Sequence, residues 1–153
     1  MNREKFVIEA EELLARIGEG NIRLYDASIQ FFRQDTDPTA YDDYLQSHIV
    51  GAAFFDHAQF SNPDSRYEYM VLGEPELSQQ IGAAGISNDS AVVIYANLLP
   101  SATRAAWVLR YAGHNNVRIL NGGLAAWVKA GGQLEHQERH YEPTTFAGRL
   151  RPQ

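Results

Sequence analysis

The sequence predicts a single α/β domain with a central parallel sheet of about five strands and helices on both faces, and three observations carry that prediction. Short apolar runs alternate with longer stretches of helical spacing along most of the chain. The run Ala91-Val92-Val93-Ile94-Tyr95 is apolar throughout, which suits a strand covered on both sides, as in a parallel sheet. The length of 153 residues fits one ordinary domain, long enough to bury about two-thirds of its unfolded surface in one core.

The elements follow in order. Glu9 to Ile17 carries Ala10, Leu13, Leu14 and Ile17 at helical spacing and is stopped by Gly18 and Gly20. Ile22 to Asp26 reads as a short strand, and the polar stretch from Gln34 to Pro38 as a loop. Tyr41 to Ser47 forms a short helix behind Pro38; Ala52 to Phe55 is a second buried strand, broken by Asn62 to Ser65. Leu77, Ile81 and Ala84 set a helix over Glu74 to Ala84, closed by Gly85. A turn at Asn88-Asp89 leads into the strand Ala91 to Tyr95, then a helix from Ser101 to Tyr111 and a strand from Val117 to Leu120. Gly122-Gly123 opens a last helix through Trp127 and Val128, stopped by Gly131-Gly132. The sequence beyond lacks periodicity and reads as a linker or tail, so residues 1–133 are expected to form the domain and 134–153 to lie outside it. In such sheets ligands sit at the carboxyl ends of strands, which makes the loop after Tyr95 the first place to look.

Composition removes several functions. Hydrophobic residues at 44% and charged residues at 21% describe an ordinary globular chain. The net charge of -6 is spread along the chain with no run of Lys or Arg, which argues against nucleic-acid binding. No apolar stretch approaches the roughly 20 residues that cross a bilayer, and the charged N-terminus does not resemble a leader, so a cytoplasmic protein is expected, off the membrane. The absence of cysteine removes disulfides, thiolate metal sites and thiol nucleophiles together. Among the histidines only His136 and His140 are close in a ligand-like spacing, in a polar segment where solvated side chains are the ordinary case; neither a metal nor a cofactor is expected.

Three segments carry a resemblance. Residues 44–55, Y-L-Q-S-H-I-V-G-A-A-F-F, resemble the first signature of the rhodanese family, an aromatic followed by H-I-P-G-A and an apolar pair, with Val50 at the usual proline, a change expected to loosen the turn. Val92 to Tyr95, leading through Ser101 to Gly113-His114, resembles that family's active-site strand, loop and helix. Val117 to Trp127, with Asn121-Gly122-Gly123, resembles its strand, D-G-G turn and tryptophan-bearing helix. The segments occur in the family's order across residues 20–133 and imply a rhodanese-like fold.

In catalytic members the residue after the active-site strand is a cysteine that carries sulfur as a persulfide; here it is Ala96. The loop Ala96-Asn97-Leu98-Leu99-Pro100-Ser101 also has no arginine or lysine, and Pro100 offers no N–H. Sulfur transfer needs a polarisable thiolate among converging donors at a helix start, which a methyl group cannot replace. Leu98, Leu99 and Pro100 do not look like a maintained sulfur cradle, which weighs against an engineered alanine standing in place of a native cysteine at position 96. Ser101 reads as a helix cap rather than a nucleophile, His48 and Asp26 as structural hydrogen-bonding groups, and Trp107 and Trp127 as core or interface residues. The long segments between Asp26 and His48 and from Phe54 to Leu72 resemble the N-terminal domain of two-domain thiosulfate and 3-mercaptopyruvate sulfurtransferases, where the cysteine is normally absent; Tyr69 replaces a histidine of one loop there. Phe31, Phe32, Tyr41, Tyr67 and Tyr69 are aromatics suited either to cover a partner domain or to anchor their own loops. The resemblance therefore implies the non-catalytic half of a sulfurtransferase, whose partner is the catalytic rhodanese domain of the same parent chain. The alternative is a free-standing cysteine-less module that binds a small anion or a protein partner.

Overall fold

The computed structural model describes residues 5–29, 36–61, 73 and 75–148. Its sheet has five parallel strands: β1 (Val7–Ile8), β2 (Ile22–Asp26), β4 (Ala53–Phe54), β5 (Ala91–Tyr95) and β6 (Val117–Leu120), in the order β1-β6-β5-β2-β4. A separate antiparallel pair joins β3 (His48–Ile49) to β7 (Leu134–Glu135). The helices are α1 (Ala10–Arg16), α2 (Ala40–Gln46), α3 (Glu76–Ala83), α4 (Leu99–Tyr111) and α5 (Gly123–Lys129), with a 3-10 turn at His57–Phe60.

β5 lies between β2 and β6, and successive side chains alternate between two cores. Val92 and Ile94 enter a core with Leu77 and Ile81 of α3 and Ala105 and Leu109 of α4. Val93 and Tyr95 enter the other, with Leu13 of α1 and Trp127 of α5. Every residue of β5 is buried, as its continuous apolar run demands.

Local chemistry shifts several boundaries. Thr39 caps α2: Asp42 N–H donates to its Oγ1 at 3.0 Å while its own N–H donates to Asp42 Oδ2 at 2.9 Å, so the helix opens at Ala40. α4 opens at Leu99, two residues earlier than its apolar spacing predicts, because Pro100 suits a first helical turn, where its missing N–H has no partner to lose. β1 and β3 are too short to show a period in the sequence. The expected break at Asn62 to Ser65 lies outside the described residues.

The largest departure is the segment expected to be a linker or tail. From Gln133 to Gly148 it runs back over the domain. Val50 N–H donates to Gln133 O at 3.2 Å, extending the β3–β7 pair. A proline at position 50 could not make that bond, so valine ties this turn down, contrary to the expected loosening. β4 is shorter than β2, and Tyr141 completes the ladder: Leu24 N–H donates to its hydroxyl at 2.9 Å, and the hydroxyl donates to Gly51 O at 3.0 Å. Thr144 N–H then donates to Gly82 O at 2.8 Å, and Phe146 is buried against His114 and the α3–α4 core. Glycine permits this passage. A Cβ on Gly85 would stand 2.3 Å from Tyr141 Cβ, and one on Gly82 would stand 2.3 Å from Thr144 O.

Candidate functional site

The loop Ala96 to Ser101 leaves the carboxyl end of β5 and enters α4, the position where a parallel sheet places its ligand. Its first polar contact runs sideways to β2. The buried Asp26 carboxylate accepts hydrogen bonds from Ser28 N–H at 3.0 Å and Ser28 Oγ–H at 2.6 Å. Burial pushes the Asp26 carboxyl up, and the two bonds from Ser28 oppose that shift. Ser28 Oγ in turn accepts from Asn97 N–H at 2.8 Å. The Asn97 side chain clamps the next residue, accepting from Ile29 N–H at 3.3 Å and donating to Ile29 O at 2.9 Å.

Two further donors close the first turn of α4. Ser101 N–H and Ala102 N–H both fold back on Leu98 O, at 3.1 and 3.5 Å, and Pro100 has none. No side chain caps α4; Leu98 holds the cap position, and Leu98 and Leu99 are 50% and 69% exposed. Ser101 is therefore not the cap that its place after proline suggested. It is the third residue of the helix, wholly buried, and its Oγ has no hydrogen-bond partner among the described residues. That leaves it neither capped nor activated, since a serine nucleophile needs an adjacent base.

The histidines are similarly committed. His48 is fully buried, stacked on Tyr44 with ring centroids 4.0 Å apart; its Nδ1 lies 2.8 Å from Tyr44 O and its Nε2 3.3 Å from Glu135 Oε2. Glu135 also accepts from Gly51 N–H at 2.8 Å and pairs with Arg139 at 2.9 Å. The guanidinium of Arg139 chiefly, with Gly51 and His48, holds the Glu135 carboxyl down at about 2. His57 Nε2 lies 2.8 Å from Ala27 O, and His114 Nε2 2.9 Å from Ser90 O; burial lowers both pKa values. His140 pairs with Glu138 at the surface, and no group of three or more metal-ligating side chains exists among the described residues. No described helix is long and apolar enough to cross a membrane.

A cavity of about 830 Å³ opens elsewhere on this edge, among Tyr25, Tyr41, Phe54, His57 and Tyr141. Ser28 and Ile29 line it, but none of Ala96 to Ser101 does. Tyr41 packs on Tyr44 and Phe54, so it anchors its own helix; Phe31, Phe32, Tyr67 and Tyr69 fall outside the described residues. Sequence reasoning missed Ser28 and Glu135. The D-x-S spacing of Asp26 and Ser28 was the available signal for the first, whereas Glu135 becomes meaningful only once β7 pairs with β3.

The rhodanese-like domain family matches residues 9–130. The chain belongs to that family. It is 36% identical over 138 residues to the thiosulfate sulfurtransferase of Bos taurus, covering 88% of this chain and 45% of that protein. To the 3-mercaptopyruvate sulfurtransferase of Mus musculus it is 33% identical over 146 residues, covering 94% and 48%. Among solved structures, a 3-mercaptopyruvate sulfotransferase of Escherichia coli superposes with a TM-score of 0.86 at 29% identity, over 96% of this chain and 56% of that one. This rhodanese domain is thus related to sulfurtransferases and spans about half the length of the relatives it matches.

Proposed function

We propose that this rhodanese domain is the non-catalytic half of a thiosulfate or 3-mercaptopyruvate sulfurtransferase, which stabilises the catalytic half and forms one wall of its cleft. The observation that carries the reading is the state of the loop after β5. Ala96 stands where the thiolate would be, the chain contains no cysteine, and Asn97, Ser101 and Ala102 have their N–H groups tied within the protein. Beyond the missing thiolate, the first donor after β5, Asn97 N–H, is taken by Ser28. The relatives, about twice the length of this chain, support a second domain that supplies the thiol. The working location is the cytoplasm, and no cofactor is required for this role.

The test is cyanide-dependent sulfur transfer from thiosulfate and from 3-mercaptopyruvate, measured for the 153-residue chain and for the longest product of its gene. An inert chain beside an active longer product supports the reading. Activity of the isolated chain would sink it, and inactivity of both would favour a free-standing module that binds an anion or a protein.

A further inference from the structure

The outward face of α4 differs from the rest of the described surface. The helix carries no acidic residue in a chain of net charge -6. Arg104, Trp107 and Tyr111 fall at i, i+3 and i+7, so they share one face. Trp107 is 42% exposed and lies parallel to Tyr111, with ring centroids 5.1 Å apart and planes 8° from parallel. The Arg104 guanidinium sits 5.5 Å from the centre of the Trp107 ring.

Arg104 stands apart from the other described arginines. Arg16, Arg118 and Arg139 pair with Glu12, Glu19 or Glu135, while Arg23 and Arg110 donate to backbone carbonyls. Arg104 has neither kind of partner among the described residues; it is half-buried, and that desolvation depresses its pKa. Partial burial of a guanidinium that finds no carboxylate among the described residues is unfavourable until one meets it. Arginine, tryptophan and tyrosine are also the residues that dominate the centres of protein interfaces.

We propose that this Arg104–Trp107–Tyr111 face is the surface on which a second domain of the same polypeptide docks, with a carboxylate of that domain paired to Arg104. The inference rests on the two-domain reading above and adds the place of contact. The occupant follows from charge and from position. A Cβ on Gly148, the last described residue, would lie 3.1 Å from the carbonyl of Ala112, the residue that ends α4, so the described chain ends beside the C-terminal end of this helix. A domain tethered there meets the face at high effective concentration.

The experiment is hydroxyl-radical footprinting read by mass spectrometry, on this chain and on the longest product of its gene. In the isolated chain Trp107 is oxidised readily and Trp127, wholly buried, is spared. In the longer product Trp107 falls to the level of Trp127. Arg104→Glu in that product restores oxidation of Trp107, while Arg104→Lys retains most of the protection; Arg104→Glu in the isolated chain leaves its unfolding midpoint unchanged, which excludes misfolding. A longer product with Trp107 as reactive as in the isolated chain overturns the docking face and leaves the two-domain reading standing. A product with no second domain overturns both. Protection that grows with concentration of the isolated chain identifies a second copy as the occupant and also overturns the proposal.

Discussion

Two edges of this domain resemble family signatures, and their polar groups are used in different ways. At the β3–β7 edge, His48 is buried against Glu135, which also binds Gly51 and Arg139, so a polar network fastens the segment after α5 to the domain. At the loop after β5, hydrogen bonds from Asp26 through Ser28 to Asn97 fasten the loop to its neighbour, and its outward side chains are leucines. The first network holds charge where it serves the fold; the second takes the Asn97 N–H for a structural bond to Ser28.

The sharpest break of that comparison is removal of residues 134–153. If the segment is an integral strap, the shortened chain loses its cooperative unfolding transition; a passive linker would leave the urea midpoint unchanged. Within the strap, Phe146→Ala removes a buried ring from the α3–α4 core and is expected to cost about 3 kcal/mol in urea unfolding.

Next in size is Glu135→Ala, which leaves buried His48 and Gly51 N–H without their acceptor and is expected to cost about 2 kcal/mol. The same group gives a pH signature. Its folded pKa, about 2, lies below its unfolded value near 4.5, so its contribution is fully present above the unfolded value and is lost as pH falls toward 2. A separate, earlier loss is expected below about 6.5, where the unfolded chain protonates His57 and His114 while burial keeps them neutral in the fold. Unfolding midpoints taken from pH 7 to pH 3 separate the two windows, and Glu135→Gln flattens only the lower one.

At the loop, effects are smaller. Ser28→Ala cuts the link between Asp26 and Asn97 and is expected to cost about 1 kcal/mol. Leu99→Ser, at an exposed position, is expected to change stability by less than about 0.5 kcal/mol. A large effect at Leu99 in the isolated chain would mean that the loop tip packs against something within the domain.

The sheet was legible because its central strands are continuous apolar runs whose ends are marked by turns; β2, β5 and β6 fall on their expected residues. Helix starts were less legible, since Thr39 and Pro100 act through capping and backbone chemistry rather than hydrophobic spacing. The strap was missed for a further reason. Tyr141 and Phe146 are isolated aromatics in a polar stretch, and what holds them are partners far away in sequence, Leu24, Gly51 and Gly82 among them. At the candidate site, the lack of a cysteine at position 96 is plain in the sequence, whereas the hydrogen bonds that hold the loop required Ser28 and Asn97 to be brought together by the pairing of β2 with β5.

The central claim is that the loop is retired as a whole, and the most direct test restores the one missing atom. Ala96→Cys is treated with thiosulfate, then examined by mass spectrometry for a one-sulfur gain and assayed for thiocyanate formation with cyanide. The account predicts a thiol of ordinary reactivity, with no persulfide and no turnover, because Asn97 N–H is committed to Ser28 and Ser101 N–H to Leu98. A stable persulfide that cyanide discharges would contradict it, and would mean that the cradle is intact and lacks only its sulfur.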